Sequence, residues 1–421
     1  VTPARGIVAF GHLDLSASRK RGVPRIQPSA PAFVAPLETE PGPKPAPLQS
    51  NQPQTTSQAS ATTPVKDARA NKLTPAGLVD DVAPVLGVYI HPLASELAPA
   101  FVQVLQAKLP GKVATLPIGY DGPQSGYSKD PNLVWLRDYL PGWVRNAQGE
   151  LAAVKAQSPN ATRESTTLTT WVPVHPPKPG QRLFAAPGST TGGRWLESKT
   201  MPLFHENGNL VAAGAYALAT TKLLEDNPSK DRAAVTSEFA AAIGTPKSHV
   251  LFLDKMPGEK TGHVDLFAQS LGANEVMIPE IRAEAMAAIT MGHELALGEA
   301  VRAHLDKQAG LLTACGLKVT RLPMMPPVYL EQDSAQPTGW NGVFYSPANA
   351  LLVNEGTRKF AFVPSFKPEG FPPAYQALVK QYEGEWKREY EKRGFETEVI
   401  DATRCGRAYG LFRCLTATQP A

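Results

Sequence analysis

The chain has 421 residues, 42% of them hydrophobic and 41 of them proline, and 42 basic against 38 acidic side chains leave a formal charge of +4. That near-balance argues against a dedicated nucleic-acid binder. Three cysteines exclude a disulfide scaffold, and no apolar run reaches the ~18 residues that a transmembrane helix needs.

The first 80 residues differ from the rest. The stretch 29–64 is rich in Pro, Ser, Thr, Gln and Ala, with few aromatics and no helical or strand period. It cannot bury enough apolar area to offset its ordering entropy, so residues 1–80 are expected to be a disordered tether. Tethers of this composition often join an export signal or lipid anchor to a secreted domain. The first residue is Val1 rather than Met, which fits a trimmed chain. A secreted or periplasmic location is expected; the plainer alternative is a tail on a cytoplasmic enzyme.

Periodic structure is expected over residues 81–421. VLGVYIHP (85–92) reads as a strand and SELAPAFVQVLQAKL (95–109) as an amphipathic helix after a Ser cap. LVWLRDYLP (133–141) reads as a strand entering a turn, and 210–227 runs from a strand into helix-like residues. SKDRAAVTSEFAAAIG (229–244) is a helix opened by Ser and closed by Gly. HVLFLDKMPG (249–258) is a strand and turn, and 281–316 a long helical stretch. Residues 317–327, 349–366 and 394–402 carry further strands, with a charged amphipathic helix over 372–394. The alternation means an α/β fold, without a visible sequence repeat.

Four stretches hold polar residues that patterning alone does not require. Arg137 and Asp138 follow the apolar Val134-Trp135-Leu136; the plain reading is a surface ion pair. Glu206 precedes an Asn-Gly turn signal and Asn209, where a solvated turn would serve as well. His263 and Asp265 are spaced i, i+2, which in extended backbone puts an imidazole beside a carboxylate. Cys414 sits after Arg413, whose charge would favour a thiolate; the alternative is an inert buried thiol.

Together these stretches resemble the guanidine-modifying (pentein) superfamily, in particular peptidylarginine and agmatine deiminases. WLRDYLP is similar to their W-x-R-D-x-G-P element, and ENGN to E-G-G-N/D. GHVD matches G-H-V/I-D, and the terminal RCLT resembles H/R-C-x-T. Ser346 to Asn354 followed by Val363-Pro364-Ser365-Phe366 is similar to their S-Y-x-N-x-x-x-x-N … V-x-P-x-F stretch. Five motifs stand in family order across 135–416. Departures are Leu140 where the family has Gly, Asn207 in E-G-G, and Arg413 where agmatine and peptidylarginine deiminases carry His.

The resemblance implies a five-bladed, pseudo-fivefold α/β propeller with the site in its central channel. It implies that Cys414 attacks the guanidinium carbon and that His263 works as acid and then base. Asp138 and Asp265 would hold the guanidinium, with Trp135, Arg137, Glu206, Asn209 and Asn349 lining or bracing the site. No organic cofactor and no metal are implied, and no EF-hand calcium loop is visible. Expected partners are arginine-containing peptides or proteins, with a small guanidine such as agmatine as the alternative.

Other classes fit less well. Papain-like proteases place the nucleophilic Cys ahead of the His, whereas Cys414 comes last. His293, Glu294 and His304 share a helix face but lack H-E-x-x-H spacing. A secreted binding protein on the same fold is the non-enzymatic alternative. Asn160-Ala161-Thr162 fits a glycosylation sequon, and Cys315 and Cys405 could pair in an oxidising compartment.

Overall fold

The structure is a computed structural model that describes residues 77–115, 134–140, 142–145, 151–157, 196–272, 274–289 and 292–421. Residues 1–76 of the tether expected over 1–80, the sequon at Asn160 and Pro141 lie outside these residues.

One pattern recurs in five sheets: a first strand runs antiparallel to a second, which runs parallel to a third. Val211–Ala213, Tyr216–Thr220 and Val250–Leu253 form one, with helix Arg232–Ile243 between the parallel pair. Gln269–Gly272, Glu275–Glu280 and Lys318–Pro323 form another around helix Gly292–Ala314. Leu351–Asn354, Lys359–Ser365 and Glu396–Asp401 enclose helix Pro373–Glu391. Gly142–Arg145, Leu151–Lys155 and Leu196–Thr200 follow the same order. In the remaining sheet Thr416–Pro420 supplies the first strand to Val85–Ile90 and Val113–Thr115, around helix Pro99–Lys108. A two-stranded hairpin, Val328–Gln332 with Trp340–Val343, is interposed before the last unit.

The sequence explains these choices. Parallel neighbours need a long crossover, and a helix provides it. Strands covered on both faces read as continuous apolar runs, as in Lys359–Ser365, where six of seven residues are buried. The helix Arg232–Ile243 starts where the Asp231 carboxylate accepts from the Ala234 amide at 2.7 Å and stops at left-handed Gly244.

Several expected elements differ. The helix expected over 95–109 breaks into Ala94–Leu97 and Pro99–Lys108, because Pro99 has no amide hydrogen to continue the ladder. Its entry is Leu93, not a Ser cap. Asp231, not Ser229, caps the next helix. Of the expected strand and turn over 133–141, the described residues 134–140 hold no strand: Leu136–Tyr139 is a helical turn. Residues 210–227 hold a hairpin turning at Gly214, at φ +58°, before the short helix Lys222–Glu225. The stretch 281–316 divides into Ala283–Ala287 and Gly292–Ala314. The folded part also begins before 81, since Gly77–Leu78 pairs with Arg145 and Val144.

The main core runs through four of the five sheets, and a smaller cluster around Phe239 and Leu203 lies under the other strands. Phe412 stacks on Phe101 at 4.1 Å, which seats the last loop against the first helix. The Tyr390 hydroxyl donates to Gln269 Oε1 at 2.5 Å and to the Pro347 carbonyl at 2.9 Å, joining the last two units. His293 stacks on Trp340 and His304 packs edge-on to Phe267, which separates the two histidines of the helix-face reading. All three cysteines are free, so Cys315 and Cys405 are not bridged. Among the described residues no helix is long and apolar enough to cross a membrane.

Candidate active site

Each of the five sheets is entered through a short turn, and the polar residues singled out in the sequence stand on those turns. Asp138 lies on Leu136–Tyr139, ahead of Gly142–Arg145. Glu206 and Asn209 flank the tight turn Asn207–Asn209, ahead of Val211–Ala213. His263 leads into Val264–Leu266, ahead of Gln269–Gly272. Asn349 closes Pro347–Asn349, ahead of Leu351–Asn354. Cys414 ends the loop before Thr416–Pro420.

These turns touch one another through named bonds. Asn209 Oδ1 accepts from the Thr220 amide at 2.8 Å and the Val264 amide at 3.3 Å. Asn349 Nδ2 donates to the Asp265 carbonyl at 3.2 Å. Asn349 Oδ1 lies 3.4 Å from the Cys414 amide and 3.5 Å from its Sγ. The Arg137 amide donates to the Cys414 carbonyl at 3.1 Å. Trp135 packs against Gly410, where an added Cβ would come within 2.1 Å of the ring.

The imidazole is held from both sides. His263 Nε2 is 2.9 Å from Glu206 Oε2, and Nδ1 is 3.5 Å from Asp138 Oδ1. His263 is only 3% exposed. Burial alone would lower its pKa, but the facing carboxylates of Asp138 and Glu206 raise it to about 9. Glu259 shapes the approach, accepting from the amides of Thr261 and Gly262 at 2.8 and 2.5 Å. Gly208 fits where no side chain could: a Cβ there would stand 2.5 Å from both Asp138 Oδ1 and His263 Nδ1.

Asp265 takes a different partner from the expected one. The backbone is extended at His263 but turns at Val264–Leu266, so the i, i+2 spacing does not set the two side chains on one strand face. Asp265 Oδ2 accepts from Arg413 at 2.6 Å, while Glu206 and Asp138 take the histidine. Arg413 also pairs with Asp81 at 3.1 Å, and Arg137 stands 4.0 Å from Asp81. Arg137 therefore belongs to the supporting ion-pair chain. A cavity of about 50 Å³ lies behind this chain, lined in part by Asp81, Arg137, Trp143 and Arg413.

Arg413 was expected to favour a thiolate, but its charge is already engaged by two carboxylates. Burial pushes the Cys414 thiol well above its ordinary pKa, and the facing carboxylates of Asp265 and Asp138 push it further. Burial likewise lifts Asp138 to about 7, with His263 opposing the shift. Asp138 Oδ1 and Asp265 Oδ1 are buried and accept no hydrogen bond among the described residues. Asp138 Oδ1 has His263 Nδ1 at 3.5 Å, beyond a good hydrogen bond, so two buried carboxylates with unbonded oxygens beside a neutral thiol fit a cationic group with several N–H donors.

Asp138, His263, Asp265, Asn349 and Cys414 thus come together, with Glu206 on the histidine. Asn209 braces the turns, and Trp135 and Arg137 support the loop of the cysteine. The sequence reading missed Asp81, Lys222 and Gly208. Gly208 had a signal in its Asn-Gly turn; the two charged residues reach the site only through tertiary pairing. Among the described residues no group of three or more His, Cys, Asp or Glu side chains is arranged to hold a metal ion.

No family model and no curated protein matches the sequence. Solved structures do. Agmatine deiminase of C. jejuni superposes with a TM-score of 0.53 at 14% identity, over 82% of this chain and 96% of that one. Agmatine deiminase of Enterococcus faecalis gives 0.54 at 16% identity, over 82% and 96%. A protein provisionally named a peptidyl-arginine deiminase gives 0.56 at 15% identity, over 83% and 100%. These structure neighbours are members of the superfamily that the motifs resemble, and the chain has their mixed α/β fold.

Proposed function

We propose that this chain, folded like the agmatine deiminases, hydrolyses guanidinium groups through a covalent intermediate on Cys414. The observation that carries the reading is the pair of buried carboxylates, Asp138 and Asp265, that act on the Cys414 thiol, each with an oxygen that accepts no hydrogen bond among the described residues. A planar guanidinium donates N–H bonds to both. Its charge offsets the two carboxylates that hold the thiol neutral, so substrate binding itself promotes the thiolate. The thiol proton is lost to solvent as the guanidinium binds, Cys414 Sγ bonds to the central carbon, and His263 gives its proton to the leaving amine, which departs as ammonia. The thiouronium that remains is attacked by water, whose proton returns to His263. The C–S bond breaks, releasing a ureido product and the thiol. Asn349 aligns the thiol, and Glu206 keeps the ring in place.

Among guanidines we favour peptide or protein arginine, converted to citrulline by an exported enzyme. The Pro/Ser/Thr/Gln-rich composition of 29–64 supports that reading. The likeness to agmatine deiminases favours agmatine as the second. We also read the five repeated sheets as blades around a central channel, supported by their shared strand order and by the five pre-strand turns that meet at the site. A ureido-product assay with agmatine, free arginine and an acetylated arginine peptide amide tests the substrate. Product from the peptide supports the first reading, and product from agmatine alone replaces it with the second. Silence on all three, with and without calcium, overturns the enzyme reading.

Asp138 gives a second test. Its carboxyl titrates near 7 in the folded chain because of burial, against roughly 4 when unfolded. The folded form holds the extra proton between those values, so stability falls as pH rises from about 4 to 7 and stays reduced above. Asp138→Asn removes that titration, so the fall of Tm between about pH 4 and 7 should shrink in the variant. The same change should cut kcat/KM about 100-fold, since a charge-assisted bond to the substrate is lost. In the parent, kcat/KM should drop as pH falls below about 7 and Asp138 takes a proton. A fall of Tm between about pH 4 and 7 that is unchanged in the Asn variant would count against this account.

A further inference from the structure

Lys222 stands on the helical turn Lys222–Glu225, in no motif shared with the deiminases. Its Nζ is 2.5 Å from Asp226 Oδ2 and 3.5 Å from Glu206 Oε2. That same Glu206 oxygen is the one 2.9 Å from His263 Nε2. Asp226, Lys222, Glu206, His263 and Asp138 therefore form one chain of alternating charge. An i, i+4 pair with Asp226 alone would be an ordinary surface bridge worth little. This lysine instead shares an acceptor with the buried ring, and its side chain is 15% exposed.

We propose that Lys222 is a positioning residue that limits how firmly His263 holds its proton. The inference rests on the deimination reading, in which His263 must be protonated to release ammonia and neutral to activate water. Glu206 and Asp138 pull the ring toward its charged form. An oxygen shared with a second cation gives less to the first, so Lys222 weakens the pull of Glu206. The other described groups around the ring are each engaged elsewhere or held neutral. His205 lies in the Glu206 segment and is held neutral, since burial lowers it to about 4. Asp265 is two residues on and tied to Arg413. Cys414 faces the carboxylates from the last loop, and Glu259 is spent on loop amides. Lys255, near Gly262, pairs with Glu225 at 2.6 Å. Lys222 is thus the cation whose partner is also the partner of the ring.

The test is Lys222→Met beside Lys222→Arg in the full chain. Ring NMR titration of His263 reads the proton affinity without turnover, and the pH profile of kcat reads it during turnover. In Lys222→Met the His263 midpoint should move up by roughly one pH unit, the scale of a nearby charge. At neutral pH kcat should then fall about tenfold, because a tenth as much neutral imidazole remains, while KM changes little. Lys222→Arg should restore both. Unmoved midpoints in Lys222→Met, with the parent active, overturn the proposal. Equal losses in both variants with no midpoint shift assign Lys222 a structural role and overturn it as well. If the parent makes no ureido product, the deimination reading fails, and the NMR midpoints still decide whether Lys222 tunes the ring.

Discussion

Cys414→Ser should lower the rate of ureido formation by about four orders of magnitude or more while leaving the fold and guanidine binding intact. Losing a nucleophile on which the rest of a site depends costs on this scale. A serine hydroxyl in the same place is far harder to ionise than a thiol, and the facing carboxylates of Asp265 and Asp138 oppose any anion there. The sulfur's partners are Asn349 Oδ1 at 3.5 Å and the Leu411 backbone, which a hydroxyl can also serve. Asp138 and Asp265 keep their orphaned oxygens, so the substrate should still bind. At a hundredfold excess over Kd, binding stabilises by about 2.7 kcal/mol, visible as a raised Tm. The assay pairs product formation with that thermal shift. Retained product in the variant would remove the covalent mechanism, and a lost thermal shift would remove the two-carboxylate binding site.

Gly208→Ala should cut kcat about 100-fold even though alanine is the smallest change available. The glycine is not kept for a left-handed backbone; φ there is ordinary. Space is the reason. The new methyl would stand 2.5 Å from Asp138 Oδ1 and 2.5 Å from His263 Nδ1, closer than real contacts allow. Both groups must retreat, and a displacement of about 1 Å at a reacting centre costs about 100-fold. Overpacking should also cost about 1–3 kcal/mol of stability. A control is Gly111→Ala, where nothing lies within 4 Å of the added methyl, although the left-handed backbone there (φ +74°) adds some strain. If Gly208→Ala keeps its turnover, the neighbouring carboxylate and imidazole are not the working pair.

Much of the fold was legible because apolar runs and breakers are local. Strands such as Val250–Leu253, Lys318–Pro323 and Glu396–Asp401, and the helix Pro373–Glu391, stand close to where the pattern puts them. Leu136–Tyr139 was misread because Val134-Trp135-Leu136 is apolar, and the burial that demands it comes from packing rather than pairing. The five-sheet repeat escaped detection because its crossovers differ in length, from Pro99–Lys108 to Gly292–Ala314. At the site, residue types were legible and pairings were not. His263 beside Asp265 suggested a couple, yet one turn of backbone sends Asp265 to Arg413. Glu206 lies 57 positions from the ring that it holds, and Asp81 lies 332 from Arg413. No local pattern encodes such distances.

The strand Thr416–Pro420 pairs with Val85–Ile90, and across that seam Tyr89 and Gln419 bond over a separation of 330 positions. During synthesis the sheet that begins this body stays open until its other edge leaves the ribosome. Cys414 lies two residues ahead of that edge and depends on Asn349 and Arg137 for its place. The proposed nucleophile is therefore assembled in the same late event that seals the sheet. A chain made as far as Asp265 carries the carboxylates and the imidazole but not the thiol, so the proposed reaction would wait until closure is complete.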